Sequence, residues 1–339
     1  MAMSGWRDWL KRTKSRPDKV PAWASFFSAD QYAAFTTIIE EHFQKKGQSI
    51  VWGNGVLTLQ PSDPAGLHQL GLVNLAQLCA RNEAGDWATI VDDHFNTLDK
   101  SQTEQRVLEQ RIPDFERVRD LLSIRLWPDD YLKELDADRM IHRRDVPGTI
   151  SALVYDLPSS IRNVTPEEAN SWGLPIDELF VIAQDNVRET CIPDVTEQDM
   201  GDDLSVTMLS DESFFVASHA LTLEQHYPNC IGQFGALVGI PHRHVLLAYP
   251  IETLDVVKAI PKMIAVVLGM ERDGPGSISP RLYWLQHGEF VDLPYRVESN
   301  TLNFAPPDEF LEMMNLLADG ADDAEGADDE GADEDSDEK

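Results

Sequence analysis

Pro241, His242, Arg243 and His244 interrupt an otherwise nearly unbroken apolar run, IGQFGALVGIPHRHVLLAYPI, between Ile231 and Ile251. On an extended strand, His242 and His244 would emerge from one face, a spacing that suits two ligands of a zinc ion. A third ligand is then needed, and His219, Glu224 and His226 lie just upstream. A centre of this kind would make the chain a metal-assisted hydrolase. Arg243, between the two imidazoles, is the candidate binding residue. The competing reading is that the three polar side chains solvate a turn and pair with some of the many carboxylates. His-x-His alone falls short of the ligand count of a closed or catalytic site, so no catalytic residue and no cofactor is assigned.

The signatures with fixed spacing are missing: no Gly-x-Ser-x-Gly elbow, no phosphate loop ending in Gly-Lys, no His-Glu-x-x-His and no Cys-x-x-Cys. Gly53, Asn54 and Gly55 have the wrong spacing for a dinucleotide fingerprint and read as a hairpin turn. The neighbouring pairs Asp129–Asp130 and Asp202–Asp203 are expected on solvated faces of so acidic a chain. Arg143, Arg144 and Asp145 read as a surface ion-pair cluster.

Charge excludes one broad class. The chain carries 59 acidic and 28 basic residues, a net −31, of which the segment 318–339 supplies −11. That tail cannot bury enough apolar surface to offset its ordering entropy, and it is expected to be disordered. Its role is solubility or attraction of a basic partner. The rest, still at −20, opposes general nucleic-acid binding, which requires clustered Lys and Arg to neutralise phosphates. Residues 1–20 are the exception, a basic aromatic arm at +4 that suits peripheral contact with an anionic membrane or an acidic protein. No apolar run is long enough to span a bilayer and no signal peptide is legible, so the expected location is cytoplasmic. Three distant cysteines, Cys79, Cys191 and Cys230, argue for buried free thiols rather than a disulfide framework.

The elements that must position the histidines follow from periodicity. Tyr32, Phe35, Ile38, Ile39, His42 and Phe43 predict a helix capped by Ser28 or Asp30 and stopped at Gly47, followed by a hairpin over SIVWGNGVLTLQ. Two helices separated by Gly85 come next, then a charged helical stretch over 99–120 leading into an exposed connection. The boundary is placed between Pro128 and Arg144. Thr165, Pro166 and Glu168 form a capping-box pattern, and Ile176 to Val187 an amphipathic helix. DLSVTMLS and SFFVASHA predict a strand pair, followed by a helix over 221–227. GALVGI and VLLAYPI repeat that order, with a helix from near Glu252 that Pro261 should kink or end. MIAVVLGM then stands as its own apolar element, RLYWLQ and EFVDLPYRV as further strands, and 307–317 as a last short helix.

At Trp172 to Arg188, WGLPIDELFVIAQDNVR, and again at GALVGIPHRHVLLAYPIETLD, the chain resembles the YtpQ-like family of bacterial proteins, over roughly 124–317. The resemblance implies an intracellular α+β protein of unknown activity and brings no catalytic residue with it. The basic arm and the acidic tail depart from the family pattern. The expected fold class is therefore α+β, with small antiparallel sheets backed by helices. It comprises an arm (1–20), an N-terminal module (21–130), a YtpQ-like C-terminal module (140–317) and the tail (318–339). The expected function is a non-enzymatic interaction or regulatory protein with a protein partner. The alternative is the metal-assisted hydrolase built on His242 and His244.

Overall fold

The computed structural model describes residues 19–60, 69–134, 137–298 and 301–329. The basic arm, except for its last two residues, and the end of the acidic tail lie outside the described residues. The chain is α+β and forms two compact units, residues 1–106 and 107–339.

In the first unit, helix α1 (Ala29–Lys45) begins at a capping box in which Ser28 and Gln31 satisfy each other's backbone N–H. Its buried stripe is Tyr32, Phe35, Ile39, His42 and Phe43, and Gly47 ends it at φ 67°. Strands β1 (Ser49–Trp52) and β2 (Val56–Gln60) pair antiparallel around Asn54 and Gly55 as expected. Only Gly55, at φ 72°, takes a left-handed conformation. Strand β3 (Gln69–Gly71) completes the sheet, and α2 (Val73–Ala80) and α3 (Trp87–Arg111) follow. Phe27, Phe35, Leu57, Leu75, Trp87 and Phe95 fill the core.

The second unit has four layers, each dictated by which face of a strand is apolar. Strands β4 (Leu122–Pro128), β5 (His142–Arg143), β6 (Thr149–Leu157) and β7 (Ser160–Asn163) form an antiparallel sheet centred on β6. Its outer face, with Ile124, Leu153 and Tyr155, packs on helices α4 (Pro166–Trp172) and α5 (Ile176–Thr190) through Ala169, Leu179, Phe180 and Ala183. The Thr165–Glu168 capping box and Gly173 bound α4 as expected. A six-stranded sheet is built from β8 (Asp194–Gly201), β9 (Leu204–Ser210), β10 (Ala236–His242) and β11 (Val245–Pro250). After helix α6 (Val256–Asp273) it is completed by β12 (Leu282–Gln286) and β13 (Glu289–Asp292), in spatial order β13-β12-β10-β11-β9-β8. Period-two alternation sends Val238, Ile240, Leu246 and Ala248 toward the four-stranded sheet, and Leu237, Val245 and Leu247 toward α6. A small hairpin, β14 (Tyr295–Glu298) with β15 (Thr301–Phe304), and helix α7 (Asp308–Asp329) complete the outer layer.

Four expectations change. The boundary placed between Pro128 and Arg144 falls inside a sheet, because β4 pairs with β6 from Leu122–Tyr155 to Pro128–Thr149, and the intervening charged stretch merely connects paired strands. The division of the chain comes instead between Arg106 and Val107, within α3. SFFVASHA is not a strand. Phe215 to Ala220 are buried one after another without alternation, and Val216–Thr222 is a 3-10 helix enclosed between layers. Strand β9 pairs with β11 and, on its other side, with β8, a polar edge strand that apolar patterning does not reveal. Pro261 sits inside an uninterrupted α6, where Val256, Ala259, Ile260, Met263, Ile264 and Val267 bury one continuous face that outweighs the lost N–H. Finally, the last helix passes Leu317 and runs to Asp329, through a stretch rich in Ala and acidic residues with no proline to stop it.

Cys79, Cys191 and Cys230 are free and buried. Burial pushes the Cys79 thiol up to about 11 and raises the other two. Among the described residues no helix is long and apolar enough to cross a membrane.

Candidate functional site

The polar cluster stands where the chain turns. His242 pairs with Val245, and Arg243 and His244 are the two turn residues between β10 and β11. Pro241 and His242 belong to β10 itself, beyond a register shift that begins at Gly239. His242 is thus a strand residue and His244 a turn residue, so they do not share a strand face. Their ring centroids are 6.1 Å apart and the planes are inclined at 59°.

Both nitrogens of His244 are engaged. Nε2 accepts from Arg243 Nε at 2.9 Å, which leaves Nδ1 to donate to the Ser213 carbonyl at 3.0 Å. His242 Nδ1 accepts from the His244 backbone N–H at 3.3 Å. The His242 ring lies so close to the loop after α6 that a Cβ on Gly274 would stand 2.1 Å from His242 Cδ2. Burial, then His244 and Arg243, lowers the His242 pKa, favouring the neutral ring. His219, a candidate third ligand, is also committed, with Nε2 on the Cys191 carbonyl at 2.9 Å and Nδ1 on the Tyr227 hydroxyl at 3.3 Å.

Among the described residues no three of His, Cys, Asp or Glu are grouped to hold a metal ion, and His219, Glu224 and His226 do not converge on the pair. His242 and His244 build the turn between β10 and β11. Zinc titration of the full chain is expected to show no stoichiometric site that depends on these histidines. One equivalent of zinc, lost in the His242→Ala, His244→Ala variant, would restore the hydrolase reading.

Arg243 has a different environment from the one its neighbours suggested. The turn Asp211–Ser213 is pinned by the Asp211 carboxylate accepting from Ser213 N at 2.6 Å, and Asp211 N donates to the His244 carbonyl at 3.3 Å. It presents Phe214 to the β10–β11 turn. The Arg243 guanidinium carbon lies 4.2 Å from the centre of the Phe214 ring, and His244 meets the same ring edge-on at 5.5 Å. The loop between α6 and β12 braces Arg243 from outside, through Arg243 N to Gly276 O at 3.2 Å. Gly276, at φ 71°, is doubly constrained, since a Cβ there would come 2.9 Å from Arg243 Cδ.

A second arginine reaches the same ring from the other sheet. Arg125, at the centre of β4, is 6% exposed, and its guanidinium carbon is 3.7 Å from the Trp127 ring centre and 5.5 Å from that of Phe214. Trp127 in turn stacks on Tyr131, with centroids 4.1 Å apart and planes 3° from parallel. Ser218 Oγ ties the 3-10 segment to the Ile124 carbonyl at 2.7 Å, and Ala217 N donates to the Arg243 carbonyl at 3.3 Å. These two bonds hold β4 and the β10–β11 turn in register across the interlayer.

Neither arginine is ion-paired among the described residues. Arg125 Nε is buried with no acceptor. Burial first, then the charge of Arg243, pulls the Arg125 pKa down to about 10, against a smaller opposing effect of Tyr131, so it stays charged at neutral pH. Arg143 and Arg162, also partly withdrawn from water, and the exposed Arg281 each meet a carboxylate, on Asp145, Glu168 and Asp292. Arg143 to Asp145 thus form the expected ion-pair cluster, with Arg144 near Asp129 at 3.7 Å.

Sequence reading found Arg243 and missed Arg125. The available signal is an arginine inside the apolar run LLSIRLWP, where a charge is rarely buried unless something pairs with it. A cavity of about 360 Å³ adjoins Phe214, but Asp156 and Glu212 line it, which disfavours an anion there. In the first unit, His42 Nδ1 meets the half-exposed Asp92 carboxylate at 2.5 Å, while its Nε2 is buried without a partner beside Phe43 and Phe95.

The site is therefore a cationic, aromatic interlayer of an α/β/β/α unit. Compared with protein-family models, curated proteins and solved structures, the chain matches none.

Proposed function

We propose that the chain is a non-enzymatic interaction or regulatory protein that recognises an anionic group of its partner with Arg125 and Arg243. The observation that carries this reading is the sharing of one phenyl ring by two guanidinium groups without ion pairs, in a chain where carboxylates outnumber bases by 59 to 28. A buried cation left unpaired costs several kcal/mol of desolvation, about 2 kcal/mol of which a favourable aromatic face returns. An anion entering between the layers would relieve the remainder. Recognition of acidic motifs by clustered arginines is a general mode of protein docking, and a protein partner fits it. A cytoplasmic setting belongs to the same proposal, as does kinship with the YtpQ-like family over roughly 124–317.

Thermal melting of the full chain with phosphate, sulfate and malonate, each at matched ionic strength, tests the reading. At one hundred times its Kd, a bound anion is expected to raise the melting temperature by roughly 5–10 °C, saturably. Arg125→Met should lose that response. No saturable rise with any of the three would overturn the proposal.

A further inference from the structure

Resting on that anion-binding reading, we infer that the group held by Arg125 and Arg243 is a tetrahedral dianion, a phosphate monoester, rather than a carboxylate. Charge is the first argument. The two guanidinium groups bring two positive charges into a space where the neighbouring rings add none, since His244 accepts at Nε2 and His242 accepts at Nδ1. A phosphate monoester carries a charge of about −1.5 to −2 near neutrality, whereas a carboxylate offers one negative charge.

Geometry is the second argument. A single planar carboxylate is satisfied by one arginine fork, through two parallel N–H bonds. Here the forks come from two different layers, Arg125 from β4 and Arg243 from the β10–β11 turn, and each is held by its own aromatic contact. Arg243 has spent Nε on His244 and keeps its terminal nitrogens, while Arg125 Nε has no acceptor. Donors arriving along separate directions suit an anion with three terminal oxygens spread in space.

The third argument is preorganisation. Phe214 is fixed by the Asp211–Ser213 turn, Arg243 by Gly276 and His244, and β4 by Ser218. The ligand therefore need not order the site, and selectivity between anions of equal charge should survive in dilute solution.

Isothermal titration of the full chain with inorganic phosphate, methyl phosphate, sulfate, methanesulfonate and malonate, at one ionic strength, tests this. Phosphate, methyl phosphate and sulfate are expected to bind at least tenfold tighter than methanesulfonate, which has the shape and half the charge, and than malonate, which has the charge without the shape. Arg125→Met and Arg243→Gln should each weaken phosphate at least tenfold while both variants still melt cooperatively. Malonate bound as tightly as phosphate would overturn the phosphate assignment and leave the anion-binding reading standing. No binding by any anion would end both. Phosphate affinity unchanged in Arg125→Met, or inorganic phosphate bound while methyl phosphate is refused, would also overturn the assignment. An N-acetyl-O-phosphoserine amide arm separates the sources. Tighter binding than methyl phosphate supports a phosphorylated side chain of a partner, and weaker binding supports a small free ester.

Discussion

Replacing Arg125 with methionine is expected to stabilise the protein, by roughly 2 kcal/mol or about 4–8 °C in the melting temperature of a unit of this size. Most substitutions of a side chain only 6% exposed do the opposite. The reason for the inversion is that Arg125 keeps a charge at neutral pH, is crowded electrostatically by Arg243, and has an Nε without an acceptor. Methionine has a similar reach and fills irregular space against aromatic rings, so the Trp127 face would not be left empty. Melting curves in buffer free of multivalent anions are the measurement. A loss of about 3 kcal/mol or more is the signature of a buried pair that has been broken. That result would mean a carboxylate already satisfies Arg125, and it would remove the basis of the anion site. Stabilisation together with lost anion binding would mark a position that keeps its charge for function at the expense of stability.

Gly235→Ala should have the largest effect of any single methyl group in the second unit. Gly235 has φ 86°, and a Cβ there would stand 2.2 Å from the Leu285 carbonyl oxygen, a backbone atom of β12 that cannot rotate away. Its carbonyl accepts from both Gly232 N and Ile251 N at 2.9 Å, which seats the ends of the β10–β11 hairpin. Strain in a left-handed conformation and the displaced strand together should cost more than about 3 kcal/mol, seen in urea unfolding or as failure to accumulate folded protein. Gly269→Ala is the control. It lies inside α6 with nothing within 4 Å of the added carbon, and should gain about 0.5–1 kcal/mol. Equal effects at the two positions would contradict the close approach of β10 and β12 described above.

Much of the architecture could be read from local pattern. Ser28, and Thr165 with Glu168, announce helix starts because the hydrogen bonds of a cap are made within four residues. Asn54 and Gly55 announce a hairpin, and His242 to His244 a turn, for the same reason. What local pattern could not show was decided between layers. Val216 to Ala220 read as a strand because burial on every side erases the difference between a strand and a 3-10 helix. Strand β8 is all but invisible because its edge residues are exposed and polar.

The site follows the same division. Arg243 was legible because it sits beside two histidines. Its partner Arg125 lies 118 positions away in the chain, and only the stacking of one sheet on another brings both to Phe214. The two histidines are placed by a related cause. Their two-residue spacing is real, but the turn puts them off a common strand face and engages both ring nitrogens of His244, on Arg243 and Ser213, and Nδ1 of His242, on the His244 backbone N–H.

The free cysteines give the molecule an internal reporter of opening. Cys79 is shut in the core of the first unit, and Cys191 and Cys230 in that of the second, and burial holds all three as protonated thiols. A thiol must become exposed before it can ionise readily and react. The rate at which an alkylating reagent modifies each position therefore times excursions of the unit around it. The first unit is read by one thiol and the second by two, without introducing a label.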